Sequence, residues 1–395
     1  MSFWSDPIAF LGAWLRNLVA PLNLSPSWMN FLSTLVEVVV VAAFGLLVVI
    51  FLIWLERKVA ARFQDRLGPN RAGPYGLLQT FADMVKLITK EDITPDKADK
   101  VIFNIAPVLS VASVLLIWAV VPFASSWIGA DLNVGVLYIA AVGSFGILSV
   151  LMAGWSSNNK YALLGAFRAV AQLISYEVPI LVVLLVPVLL AHTMGMMGVV
   201  EQQDIWFLAV APLAAIIFLI SSIAEIGRSP FDLLEAESEI VAGYHTEYAG
   251  MKFGMFFAAE FLHAFTIGVL FAILFMGGWR GPGAEQYPLL GMVYLMAKSS
   301  VGYFIIIWAR STLPRIRIDH MLAFNWKFLT PLSLAVVIMT AILDKAFSGS
   351  VLYVPIMLGG NLALFLASLV ILRVVSRRQQ KERKRFKKRP VAKPA

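Results

Sequence analysis

Apolar residues in this chain fall into long windows that are greasy on every side, separated by shorter polar segments. A helix needs about 20 such residues to cross about 30 Å of hydrocarbon. Nine windows meet that length: 35–55, 101–124, 134–155, 169–191, 205–225, 253–278, 288–309, 328–344 and 351–372. The eighth is the shortest and opens on "FLTPLSL". The pattern predicts an all-α polytopic membrane protein with about nine transmembrane helices in a single domain, residues 35–372. Residues 1–34 precede it with one basic residue, Arg16, and no small-residue cleavage site, so they read as a short outer interfacial segment and not a cleaved signal peptide.

Composition agrees: 59% of the 395 residues are hydrophobic and 14% charged, a balance unlike that of a water-soluble domain. The basic residues then orient the spans. On alternate segments (56–100, 156–168, 226–252, 310–327 and 373–395) lie 28 of the 32 Lys and Arg residues. The positive-inside rule therefore puts those segments in the cytoplasm, with the N-terminus outside. The tail "RVVSRRQQKERKRFKKRPVAKPA" carries the kind of basic run that binds nucleic acid in soluble proteins. Directly behind a span, it reads instead as a disordered, topogenic tail facing anionic lipid. No cysteine is present, which excludes thiolate-held iron–sulfur clusters, Cys-ligated zinc and disulfides. A two-histidine haem within the bilayer needs a His on each of two spans, and only His263 lies in one. There is no GxxxxGK[ST] phosphate loop.

Two cytoplasmic segments are longer than linkers. The first begins "ERKVAARFQDRLGPNRAGPYG", whose Gly-Pro pairs enforce a turn-rich path. In the following "YGLLQTFADMVKLITK", Leu77, Leu78, Phe81, Met84, Val85 and Ile88 form one stripe and Gln79, Asp83, Lys86 and Lys90 the other. That spacing predicts an amphipathic helix, lying in the membrane surface or packed on a partner's apolar face. The second segment, "RSPFDLLEAESEIVAGYHTEY", concentrates Asp232, Glu235, Glu237, Glu239 and Glu247. If "DLLEAESE" is helical, Asp232, Glu235 and Glu239 share a face. The bland reading is a solvated acidic loop. A partly buried cluster would instead share protons and respond to nearby charge.

Within the spans a charged side chain costs about 2.5 to 3.5 kcal/mol on insertion scales, so retained ones face water, a partner charge or a proton path. Glu37, Glu177, Glu260, His263 and Lys298 lie inside spans, and Glu225 at an inner end. Glu37 is near the outer end of its span, where a side chain can snorkel. Glu177 and Glu260 reach similar depth, and His263 follows Glu260 by one turn on the same face. With Glu225 and the loop acids they form a candidate carboxylate ladder, and Lys298 is a candidate counter-ion. Structural ion pairing is the competing reading.

The segments "AEIGRSPFDLLEAESEIVAGYHTEYAGMKFGMFFAAEF", "ERKVAARFQDRLGPNRAGPYGLLQTFADMVKLITKED", "SYEVPI" and "ARSTLPRIRIDHMLAFNWKFLTPLSL" resemble, in order, the H-subunit family of respiratory complex I, the proton-pumping NADH:quinone oxidoreductase. The likeness runs from about residue 35 to 345. The long N-terminal lead, the ninth span and the basic tail depart from it. The resemblance implies a subunit, not catalytic alone, in the bacterial cell membrane. It would join the membrane arm to the peripheral arm and form much of the quinone chamber. Quinone would be the substrate, while FMN and the iron–sulfur clusters belong to partner subunits, beside small membrane subunits and antiporter-like ones. Carried over motif by motif, it places Glu56, Arg57, Arg66, Asp232, Glu235, Glu237, Glu239, Glu247, Arg310, Arg315 and Arg317 at the chamber and coupling loops, and Glu177, Glu225 and Glu260 on a proton path. Two rivals keep the membrane fold: the anchor of an energy-converting hydrogenase, and a stand-alone ion transporter using Glu177, Glu260 and Lys298. No pair of corresponding broken helices in the two halves supports the transporter.

Overall fold

The computed structural model describes residues 25–234, 241–347, 349–350 and 352–387. Among them eight helices are long and apolar enough to cross a membrane, with a ninth, shorter apolar helix beside them, and no strand is present. In chain order the helices are α1 (Pro26–Phe63), α2 (Gln79–Thr89), α3 (Lys100–Trp118), α4 (Gly135–Ser156), α5 (Lys160–Ala191), α6 (Met196–Glu201), α7 (Phe207–Val210), α8 (Pro212–Ile226), α9 (Gly250–Phe275), α10 (Pro288–Thr312), α11 (Ile318–Phe347) and α12 (Tyr353–Lys387). The chain is a multi-pass, all-α membrane protein.

Several boundaries differ from those expected, each for a local reason. Helix α1 does not stop at residue 55. "ERKVAARF" contains only residues compatible with a helix and no Gly or Pro, so Glu56 and Arg57 ride on the same rod as the first span. The fifth window is not one span. Pro212 bars its predecessor from helical backbone, Ala211 adopts φ −130°, ψ 61°, and the window splits into α7 and the 15-residue α8. At that break the buried Asn361 of α12 donates to the Val210 carbonyl (3.2 Å). The short α6 was not foreseen. Helix α11 keeps its course through a π turn at Asn325–Leu329, where Asn325 donates to the Ser175 carbonyl of α5. The expected disorder after residue 372 is corrected as far as Lys387, to which α12 continues because 361–387 contain neither Gly nor Pro; the rest of that tail lies outside the described residues. The N-terminal lead lies outside the described residues.

Helix α9 is the hub. Nearly every residue from Phe261 to Phe275 is buried, because α1, α3, α8 and α10 pack around it. Its approach to α10 is set by absent side chains: a methyl group on Gly268 would sit 2.7 Å from the Ser299 carbonyl oxygen, and one on Gly302 would sit 3.1 Å from the Gly268 Cα. Helices associate in lipid by such close packing, since burial in oil offers little gain. Gly268→Ala must force the two backbones apart, at a cost of about 1–3 kcal/mol. Thermal melting of the purified protein should show a clear loss of stability for Gly268→Ala and a smaller one for Gly302→Ala. An unchanged melt would mean this contact does not set the packing.

Candidate functional site

Where α8 ends, Gly227 takes the left-handed conformation (φ +74°) with its Cα against Leu234, a turn that any side chain would block. The chain then turns inward and buries Arg228, whose side chain is 5% exposed. Its Nη1 meets Glu56 Oε1 of α1 at 3.1 Å, and its Nε lies 2.8 Å from Glu260 Oε1 of α9. The guanidinium stacks 4.6 Å over the Phe261 ring. Glu56, 7% exposed, also receives Nη1 of Arg310 and the Tyr303 hydroxyl (3.1 Å), both from α10. One carboxylate thus gathers three donors, and one arginine joins two carboxylates on different helices. Neither Arg228 Nε nor Nη2 makes a hydrogen bond among the described residues, so the contact with Glu260 is a charge pair and not a directed hydrogen bond.

The stretch of chain carrying Arg228 is tied down from three sides. Gln172 of α5 donates to the Ala224 and Phe231 carbonyls (2.7 and 2.8 Å), Ile316 N–H donates to the Pro230 carbonyl (2.9 Å), and Ser229 donates to the Leu313 carbonyl (3.2 Å).

Two clefts meet at this network. One, with about 410 Å³ of space, is lined by Arg228, Asp232, Glu260 and Arg310 on the loop side. The other, about 650 Å³, runs between spans. Helices α3, α4 and α9 each turn one face to it at spacings of three and four: Ser110, Ser113, Val114 and Ile117; Gly143, Gly146, Ile147 and Val150; Phe256, Ala259, Glu260 and His263. Glu225 of α8 completes the wall, with His263 Nε2 3.9 Å from its Oε1. Glu177 accepts from Ser144 Oγ (2.8 Å), beside Gly143, and is within electrostatic reach of Glu225. Glu260, Leu234 and Tyr244 line both clefts.

The expected site residues divide accordingly. Asp232, Glu260 and Arg310 line the loop-side cleft, with Glu56 behind them on Arg228 and Arg310, and Glu225, His263 and Glu260 line the inner one, with Glu177 adjacent. Arg57 pairs with Asp83 of α2 (2.6 Å) and fixes the surface helix to α1. Burial pushes the Asp83 carboxyl up, but the Arg57 guanidinium outweighs it and holds the acid below its ordinary range. The apolar stripe of α2, including Leu78, Phe81 and Ile88, is exposed. Glu247 accepts from Asn159 (2.6 Å), away from the network. Arg66 and Arg315 are exposed, and Arg317 forms an exposed pair with Asp319 at 3.8 Å. Asp232 lies outside any helix; Glu235, Glu237 and Glu239 lie outside the described residues, and with them the helical face expected of Asp232, Glu235 and Glu239, as does the Glu37 side chain. Lys298, expected as a counter-ion, pairs with no glutamate among the described residues. Its ammonium donates to the Gly278 and Arg280 carbonyls (2.8 Å each) over the Trp206 ring, because the Gly277–Gly278 turn after α9 leaves carbonyls facing it. Arg228 and Tyr303 are the residues that sequence reasoning missed. The available signal was a cation placed directly at the end of an apolar window, two residues before a proline.

These features define a class: a polytopic helical membrane protein whose buried arginine–carboxylate network joins a loop-side cleft to one between its spans. The family model described as NADH dehydrogenase matches residues 36–341. The chain is 48% identical over 319 residues to the H subunit of NADH-quinone oxidoreductase from Dehalococcoides mccartyi strain CBDB1, covering 80% of this chain and 88% of that protein. It is 44% identical to the corresponding protein of Brevibacillus brevis (83% and 98% covered) and 45% identical to one from Syntrophobacter fumaroxidans (79% and 96%). The chain therefore belongs to the NADH dehydrogenase family, among the H subunits of NADH-quinone oxidoreductase.

Two predictions come from this geometry. Arg228→Met takes the guanidinium from the half-buried Glu260 and one of the three donors from the buried Glu56, and removing one partner of a buried charge pair costs about 3–5 kcal/mol. The expected outcome is a sharp fall in folded, assembled protein on native gels, with partial recovery when Glu56→Gln and Glu260→Gln are added; no recovery would place the cost elsewhere. The second concerns His245, packed between the Tyr244 and Phe253 rings, where burial lowers its pKa to about 4. A depressed histidine pKa means the opened loop binds the proton first, so closure is complete above about pH 6.5 and weakens as pH falls toward 4. Protection of residues 243–248 against hydrogen exchange, taken relative to the intrinsic rate at each pH, should fall between pH 7 and 5, and His245→Asn should flatten that dependence.

Proposed function

We propose that the chain is the membrane subunit of a bacterial proton-pumping NADH:quinone oxidoreductase that walls the quinone chamber where the peripheral arm docks, and that it couples quinone reduction to proton movement. The names of its relatives support the assembly. The observation that carries the coupling role is Glu260, which lines both clefts while paired to an arginine that also holds Glu56.

The chemistry follows from charge. Reducing a quinone to its quinol takes two electrons and two protons, and a partly reduced headgroup is anionic before protonation. Arg310 is 41% exposed at its side chain while Glu56 is 7% exposed, so Arg310 is the mobile edge of the network. An anion arriving in the loop-side cleft draws Arg310 toward itself. Glu56 then holds Arg228 more tightly, and Glu260 loses its counter-charge. A carboxylate left in a low-dielectric cleft takes up a proton. Reduction on one side is thereby registered as protonation on the other, and the inner cleft leads on to Glu225 and Glu177.

On this reading the N-terminus faces outward and the loops the cytoplasm. The chain binds no redox centre of its own. FMN and the iron–sulfur chain lie in partner subunits, the last cluster in a peripheral-arm subunit beside the loops. Small membrane subunits and antiporter-like subunits receive the protons. Asp232, the loop acids and Arg57, Arg66, Arg315 and Arg317 shape the chamber mouth, and the exposed stripe of α2 faces lipid.

The test is Glu260→Gln in the assembled complex. Electron transfer from NADH to a hydrophilic artificial acceptor should stay within about twofold of wild type, while proton translocation driven by quinone reduction falls at least about tenfold. Glu177→Gln should behave alike. Unchanged proton translocation in both would return these acids to a structural role.

A further inference from the structure

His263 is the group in the inner cleft to which the coupling reading above gives no task. It stands on α9 three residues after Glu260, so the two side chains share a face and both line the cleft. Across the cleft, its Nε2 lies 3.9 Å from Glu225 Oε1. That gap is too long for a direct hydrogen bond and suits one bridging water or a small rotation of either side chain. The surroundings leave room. A methyl group on Gly143 would meet nothing within 4 Å, and one on Gly146 only Ser113 Oγ at 3.6 Å. Among the described residues the titratable groups around the ring are Glu225 from α8, Glu260 from its own helix and Tyr244 from the loop, with Glu177 beyond Glu225 and Arg228 behind Glu260.

We propose that His263 is the proton relay between Glu260 and Glu225, joining the arginine network to the carboxylates between the spans; the proposal rests on the coupling role given to Glu260. Two carboxylates on different helices need an intermediate that both accepts and donates, and a neutral imidazole presents one nitrogen for each task. The protonated Glu260 carboxyl gives its proton to one ring nitrogen and becomes a carboxylate. The imidazolium releases the proton on its other nitrogen to the Glu225 carboxylate, which becomes the acid. One proton has moved and no charge has been created, and the ring, left as its other tautomer, resets by rotation. Glutamine at this position would keep a polar side chain but carry no proton, which separates relaying from simple cleft polarity.

The experiment uses assembled complex in proteoliposomes, with rates normalised to the amount of assembled protein. His263→Gln should leave NADH oxidation by an artificial acceptor unchanged and lower quinone-driven proton translocation at least about tenfold. His263→Ala should show the same loss and regain proton translocation when imidazole is added, because the vacated space adjoins an open cleft. Wild-type translocation in His263→Gln, or loss in His263→Ala without rescue by imidazole, overturns the relay. Glu260→Gln measured alongside keeps the two ideas apart. If it abolishes translocation while His263→Gln does not, the relay alone falls; if neither variant affects translocation, the coupling reading falls with it.

Discussion

A buried guanidinium shared by two carboxylates from different helices is the interaction on which this structure turns. A buried guanidinium demands anionic partners, and Glu56 and Glu260 supply them from α1 and α9. Lysine would offer a point charge, whereas the planar fork of arginine reaches two acids in different directions and still stacks on Phe261. The local backbone exists to place it. Gly227 makes the turn, Gln172 and Ile316 hold the chain on either side, Arg310 shares Glu56 Oε1 with Arg228, and Tyr303 donates to Oε2.

The second constraint is space. Helices α9 and α10 meet through glycines and lie backbone to backbone, while α4 presents glycines where no neighbour fills the gap. The same residue type therefore closes one interface and opens another. The opened one runs past Glu260, His263 and Glu225, so the buried charges adjoin a passage and are not sealed in packing. Helix α8 is short because Pro212 breaks its window, and its other end delivers both Glu225 and the Gly227–Arg228 turn.

Much of this was legible in the residues. Long apolar windows point directly to the eight long helices, since a helix in oil leaves no other solution for its backbone polar groups. The stripe of α2 follows from spacing alone. The costly acids pointed to a site, and Glu225, Glu260 and His263 do share one cleft. What periodicity cannot supply is the rotation of one helix against another. Arg228 reads as one more cytoplasmic cation until α1 is seen to bring Glu56 beside it from 172 positions away. Lys298 reads as a counter-ion until the turn after α9 is seen to offer carbonyls. Pro212 stands in the middle of an apolar run long enough for one span, and length alone does not show the break there.

The central claim is that Arg228 makes Glu56 and Glu260 one unit, and a double-mutant cycle on those two acids tests it most directly. Glu56→Gln, Glu260→Gln and the double variant would be compared by the thermal stability of assembled complex. Independent, distant sites add to within about 0.3–0.5 kcal/mol, whereas members of one charge network depart from additivity by about 0.5–3 kcal/mol. A coupling above about 1 kcal/mol is the result the shared arginine predicts, and strict additivity would contradict it.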